Sequence, residues 1–142
     1  LNIYRLAEID RQLHEVGSLG AIKTPRSGWV KTLRLAMGMS SLALGERVAM
    51  SPQGVRKLER AEADGTIALR TLARLAEGLD CEVRYVLIPR TRLVNQVLRR
   101  AQEKSIDVGP LTGLGAASGS LDTEAVMQLS ALLSGVNRRG FW

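Results

Sequence analysis

Cysteine and histidine are scarce in this sequence, and each scarcity removes a class of protein. The 142 residues include one cysteine, Cys81, which excludes an internal disulfide and a cysteine-rich metal centre and suits a reducing compartment. His14 is the only histidine. On an amphipathic helix it reads as a surface residue, because a base or metal ligand needs several convergent partners. No run of about 18 apolar residues is present, so no transmembrane helix is expected. Gly113, Gly115 and Gly119 lack both the spacing and the preceding strand of a dinucleotide loop. No enzyme, cofactor or metal is expected, and the start at Leu1 leaves room for a preceding leader.

Hydrophobic residues make up 45% of the chain, enough for one modest core and a small appendage. The net charge of +6 favours a polyanionic partner such as nucleic acid, although basic charge is also common on soluble surfaces.

Helical periodicity dominates the pattern. Asn2 can cap a helix to about Val16, with Ile3, Leu6, Ile9 and Leu13 as its apolar stripe. Gly17 to Gly28 is a loop made basic by Lys23 and Arg26. A helix from Trp29 to Met37 should turn Val30, Leu33 and Met37 inward and stop at Gly38. Ala61 to Thr66 reads as a polar loop, and Ala68 to Leu79 as a helix burying Leu69, Leu72, Leu75, Ala76 and Leu79. Cys81, Val83, Tyr85 and Leu87 then alternate with Glu82, Arg84, Val86 and Ile88, a strand signature ended by Pro89. A lone strand needs a partner, and pairing of Val83, Tyr85 and Leu87 with a second copy makes a homodimer the economical solution. Arg92 to Lys104 returns to helix. The glycines of 105–120 favour a flexible linker, and Asp122 can cap a last helix with Val126, Leu129, Leu132 and Leu133 apolar. The tail Phe141-Trp142 is either tucked onto the body or offered to a partner, with the partner favoured.

Gly38 to Arg60 is the most informative stretch. Ser40 can cap a first short helix and Ser51 a second, with Pro52 at the first helical position, where its missing N–H is harmless. Leu44 and Val48 form one apolar stripe, Val55 and Leu58 the other. Ala49 falls in the turn, where a left-handed residue is often needed. Gln53, Gly54, Arg56, Lys57 and Arg60 face outward. This is the outline of a DNA-binding helix-turn-helix, whose second helix enters the major groove. Gln53 suits adenine, Arg56 or Lys57 suits guanine, and Gly54 permits close approach. Ser40, Ser41, Ser51 and Arg60 suit phosphates.

Trp29 to Leu79 resembles the phage-repressor-like helix-turn-helix family (the XRE class) through GMSSLALGERVAMS, then Val55, Leu58 and Glu59 as V-x-x-L-E, then ALRTLARLAEGL. The resemblance implies a structural ion pair between Arg34 and Glu59. Ser41 stands where that family often has a phosphate-binding glutamine, and Pro52 where a base-reading polar residue is common, which shifts weight to Gln53 and Lys57. The runs IDRQL, PRSGWVKTLRLAMGMS and RAEADGTIALRTLARLAEGLDCEVRYVLIPR are similar to the bacterial group called mobile mystery protein A. Its members are typically encoded beside a Fic-domain protein, which implies an antitoxin-like or autoregulatory role. Fic inhibitors often carry a serine or threonine four residues before a glutamate, whereas Ala73 precedes Glu77-Gly78 here, so that inhibitory helix is not supported.

The expected fold is mainly α: a compact helix-turn-helix DNA-binding domain of four to five helices, then one β-strand and C-terminal helices. Its parts are an N-terminal helix and basic loop (1–28), the DNA-binding domain (29–80), a dimerising strand and helix (81–104), a linker (105–121) and a C-terminal helix with aromatic tail (122–142). The expected function is an autoregulatory, antitoxin-like repressor that binds a palindromic operator as a homodimer in the bacterial cytoplasm, nucleoid-associated and without a membrane partner. The alternative is a neutraliser of a Fic-type toxin acting through 122–142, with DNA binding secondary.

Overall fold

Residues 2–17, 20, 22–107, 109, 123–136 and 138–142 are described by a computed structural model. Among them the regular structure is entirely helical: α1 (Ile3–Gly17), α2 (Trp29–Ala36), α3 (Ser41–Val48), α4 (Pro52–Ala63), α5 (Leu69–Gly78), α6 (Leu93–Glu103), α7 (Thr123–Leu133) and α8 (Arg138–Phe141). The chain forms two compact units, Ile22–Val86 and Leu1–Ala21 with Leu87–Trp142.

In the first unit, α2 to α5 surround Val30, Leu44, Val48, Val55, Leu75 and Leu79, with Leu33, Leu58 and Leu72 packed against them. The helix ends follow from local chemistry. Gly38, at φ 66, closes α2, and the Met39 N–H then reaches back 2.9 Å to the Arg34 carbonyl, satisfying an otherwise orphaned acceptor. Asp80, at φ 55, ends α5 in the same way, with the Cys81 N–H on the Ala76 carbonyl. Met37 and Leu69, expected inward, are 55% and 51% exposed. Each lies at or beyond a helix end, where the apolar stripe has turned away from the neighbouring helices.

The second unit packs Ile3 of α1 with Val94, Val97, Leu98 and Ala101 of α6, Val126, Leu129 and Leu133 of α7, and Phe141 of α8. The Asn2 side chain accepts the Arg5 N–H at 3.0 Å and starts α1. The buried stripe of α1 carries Asp10 rather than Ile9, which is 36% exposed. Arginine at the N-cap of α6 has no acceptor to offer. The buried Asp10 carboxylate takes the Leu93 N–H at 2.8 Å instead. The aromatic tail divides, with Phe141 at 1% exposure in the core and Trp142 at 66%. Asp122 and most of the expected linker, 110–121, lie outside the described residues.

The expected β-strand is not formed. Residues 81–89 form no regular structure, and no backbone hydrogen bond joins 82–89 to any other described residue. Alternation marks a strand only where one face is buried. Here Tyr85 (74%) and Leu87 (79%) are exposed, and so are Val86 (42%) and Ile88 (48%). Neither face has a covering layer, and the described residues contain no second strand to supply a ladder.

Candidate nucleic-acid interface

The helix pair α3 and α4 is fixed by three local devices. Ser40 Oγ accepts the Ala43 N–H and Ser51 Oγ the Gly54 N–H, each at 3.0 Å, so both helices begin at a serine cap. Pro52 occupies the first position of α4. Between them Ala49 is left-handed at φ 54, ψ 52, and the Met50 N–H bonds the Gly45 carbonyl at 2.8 Å. A side chain at Gly45 would strike the Met50 carbonyl oxygen, so only glycine lets the chain turn this closely.

On α4, Val55 and Glu59 are buried, while Gln53, Arg56, Lys57 and Arg60 are exposed and Gly54 is half-buried. Arg56 Nη1 donates to Ser41 Oγ at 3.0 Å, joining the middle of α4 to the start of α3. The cap serines Ser40 and Ser51 each retain an O–H that can donate to a phosphate oxygen. Gln53 and Lys57 project clear of this cluster. Val83 is half-buried and Tyr85 and Leu87 are exposed in the segment 81–89.

Behind the outward face, Arg34 of α2 meets Glu59 in a fork-to-fork pair, Nε to Oε1 at 2.6 Å and Nη2 to Oε2 at 3.1 Å. Arg34 Nη1 also donates to the Met39 carbonyl at 2.9 Å. Hydrogen bonding to Glu59, reinforced by its charge, raises the Arg34 pKa above its ordinary value against the opposing effect of burial. The one carboxylate buried in α4 is therefore neutralised internally and presents no negative field to a polyanion.

Glu62 holds α2 in a way that local sequence patterning does not reveal. Its carboxylate accepts the Trp29 N–H at 2.8 Å and the Val30 N–H at 2.9 Å, two orphan donors of the first turn, and its negative charge faces the positive end of the helix. Gly28 makes room: at φ 78 it would carry a Cβ 2.6 Å from Glu62 Oε2. Two signals point to this cap. The helix period of Val55 and Glu59 continues to Glu62, so α4 runs three residues past Arg60 into the expected loop, and α2 begins after a glycine that has no side chain to cap it. Two arginines close the other helix ends, Arg47 on the Gly78 carbonyl at 3.1 Å and Arg74 on the Val48 carbonyl at 2.6 Å.

Lys23 and Arg26 of the preceding loop are exposed. His14 is exposed on α1, and its surroundings include Asp10, Arg90 and Arg92. Among the described residues no group of three or more histidines, cysteines, aspartates and glutamates is placed to hold a metal ion, and no helix is long and apolar enough to cross a membrane.

Two capped helices meeting at a left-handed turn, braced by two more and carrying outward cations on the second, define the helix-turn-helix class. Residues 30–86 match the helix-turn-helix family, so the match covers most of the first unit, and it supports both the phage-repressor-like resemblance and a DNA-binding regulator. No curated protein and no solved structure matches the chain.

Proposed function

We propose that the protein is an autoregulatory transcriptional repressor that binds a palindromic operator as a homodimer. The carrying observation is the presentation of α4: Gln53 and Lys57 stand exposed on a helix capped at Ser51 and braced by the Arg34–Glu59 pair. A rigid helix with a polar, cationic outer edge suits base readout in the major groove. In this reading Gln53 addresses adenine, Arg56 and Lys57 address guanine over the close approach that Gly54 permits, and Ser40, Ser41, Ser51 and Arg60 hold phosphates. One such module covers a half-site, so two copies related by a two-fold axis are required. Exposed Tyr85 and Leu87, next to half-buried Val83, are the contact assigned to the second copy. The site of action is the bacterial cytoplasm, at the nucleoid.

Sedimentation with and without operator tests the dimer. Tyr85→Asp with Leu87→Asp is expected to give monomers that bind a half-site weakly, and a double variant that stays dimeric would refute this contact.

A second reading, a neutraliser of a Fic-domain toxin, is favoured by Trp142 and Met127, 66% and 56% exposed on the second unit. Exposed large apolar groups of this kind mark contacts. Mixing the full chain with the product of the neighbouring gene, followed by size-exclusion, tests this reading. A complex abolished by Trp142→Ala supports it, and no complex with the wild type removes it.

A further inference from the structure

Between α2 and α4, on the edge of α4 next to its outward face, lies a recess of about 230 Å³ lined by Ser27, Lys31, Arg34, Arg56, Glu59, Arg60 and Ala63. Its one carboxylate, Glu59, is bound at 2.6 Å to Arg34 and is buried. The exposed cations Lys31 and Arg60 have no ion-pair partner among the described residues, and the bond from Arg56 goes to the neutral Ser41 hydroxyl. Three charges of one sign around one concavity repel each other, and their field is focused by the low-dielectric walls. Such a recess is complementary to a singly charged phosphodiester oxygen. It is too open and too polar to favour an apolar ligand.

We propose that this recess seats a backbone phosphate of the DNA, with Lys31 of α2 and Arg60 of α4 as its two cationic arms and Ser41 leading the strand toward α3. The proposal rests on the DNA-binding reading and adds α2 to the interface. Lys31 supplies affinity and register and no base preference, because a phosphate carries no sequence information.

The test measures binding of the full chain to a duplex selected from a random pool, as a function of salt, for the wild type, Lys31→Ala, Lys57→Ala and Lys104→Ala. Lys104 is exposed on the second unit and controls for net charge. Removing one cation from a phosphate flattens the log–log salt slope by about 0.9, and a two-fold dimer loses two such contacts, about 1.8 per complex. Lys31→Ala is therefore expected to flatten it by that amount and to weaken binding on the order of five-fold per half-site with unchanged base preference, while Lys104→Ala leaves the slope unchanged. A Lys31→Ala slope equal to wild type, with Lys57→Ala still altering binding, overturns the recess alone. Equal binding by all four proteins overturns the placement of DNA on α4 as well, and failure of the wild type to bind any selected duplex overturns the DNA reading beneath it. Melting in inorganic phosphate against chloride at matched ionic strength separates the small ion from the polymer. A rise that Lys31→Ala abolishes, together with a Lys31→Ala salt slope on DNA equal to wild type, would assign the recess to a small phosphate ligand and overturn the proposal.

Discussion

Arg34 and Glu59 have side chains only 7% and 3% exposed, so each is the condition for burying the other. Removing one partner leaves an uncompensated charge, and Glu59→Ala or Arg34→Ala is expected to destabilise the first unit by about 3–5 kcal/mol in urea unfolding. Arg34→Met combined with Glu59→Leu should recover most of that loss, since an apolar pair of similar volume is often neutral. A double variant no better than the singles would show that the pair is not the brace described. Glu62 acts at the same scale through two backbone donors. Glu62→Ala is expected to cost about 1–2 kcal/mol and to increase amide exchange at Trp29 and Val30 before the rest of α2, whereas unchanged exchange there would contradict the cap. Glu59 and Glu62 differ in how visible their roles are. Glu59 falls in a short motif that also fixes its helix position, and the family resemblance supplies Arg34. Glu62 and Asp10 each cap a helix distant in sequence, the Asp10 bond spanning 83 residues, and no local spacing reveals such a pairing.

Elements with local causes are legible in the sequence. Asn2, Ser40 and Ser51 each start a helix through a bond to an N–H three residues on, and Gly38 stops one, so the residues that set these limits lie within a few positions of them. The segment 81–89 has no local cause of that kind. Its alternation fits a strand, but a ladder needs a second backbone, and exposure on both faces shows that the pattern does not mark burial. The ends of apolar stripes are hard to place for a related reason: periodicity gives the face of a helix without the point at which its neighbours stop. Ala49 tests the turn. Alanine at φ 54 carries a steric cost of about 1–2 kcal/mol that glycine avoids, partly offset by the greater freedom glycine has when unfolded. Ala49→Gly should therefore raise stability by roughly 0.5 kcal/mol, and a clear loss would mean the turn is not left-handed in solution. For α6, Asp10→Ala leaves the part-buried Leu93 N–H without its acceptor and should cost about 1–2 kcal/mol, seen as earlier melting of the second unit.

At the scale of the whole chain, two units with separate cores divide the candidate roles. The basic surface of α4 and the match to the helix-turn-helix family lie in the first. The second encloses Phe141 together with Ile3, so its two chain segments depend on each other. Deleting 122–142 would remove Val126, Leu129, Leu133 and Phe141 from that core and confound partner binding with unfolding. The surface change Trp142→Ala avoids this. Base reading by Gln53 and Lys57 of α4 is tested by selection of bound duplexes from a random pool by the wild type, Gln53→Ala and Lys57→Ala. The wild type should enrich a two-fold symmetric site, and each variant should lose preference at its own position in both half-sites, at about 1–3 kcal/mol per base pair. Enrichment of the same site with the same preferences by all three proteins would contradict the account.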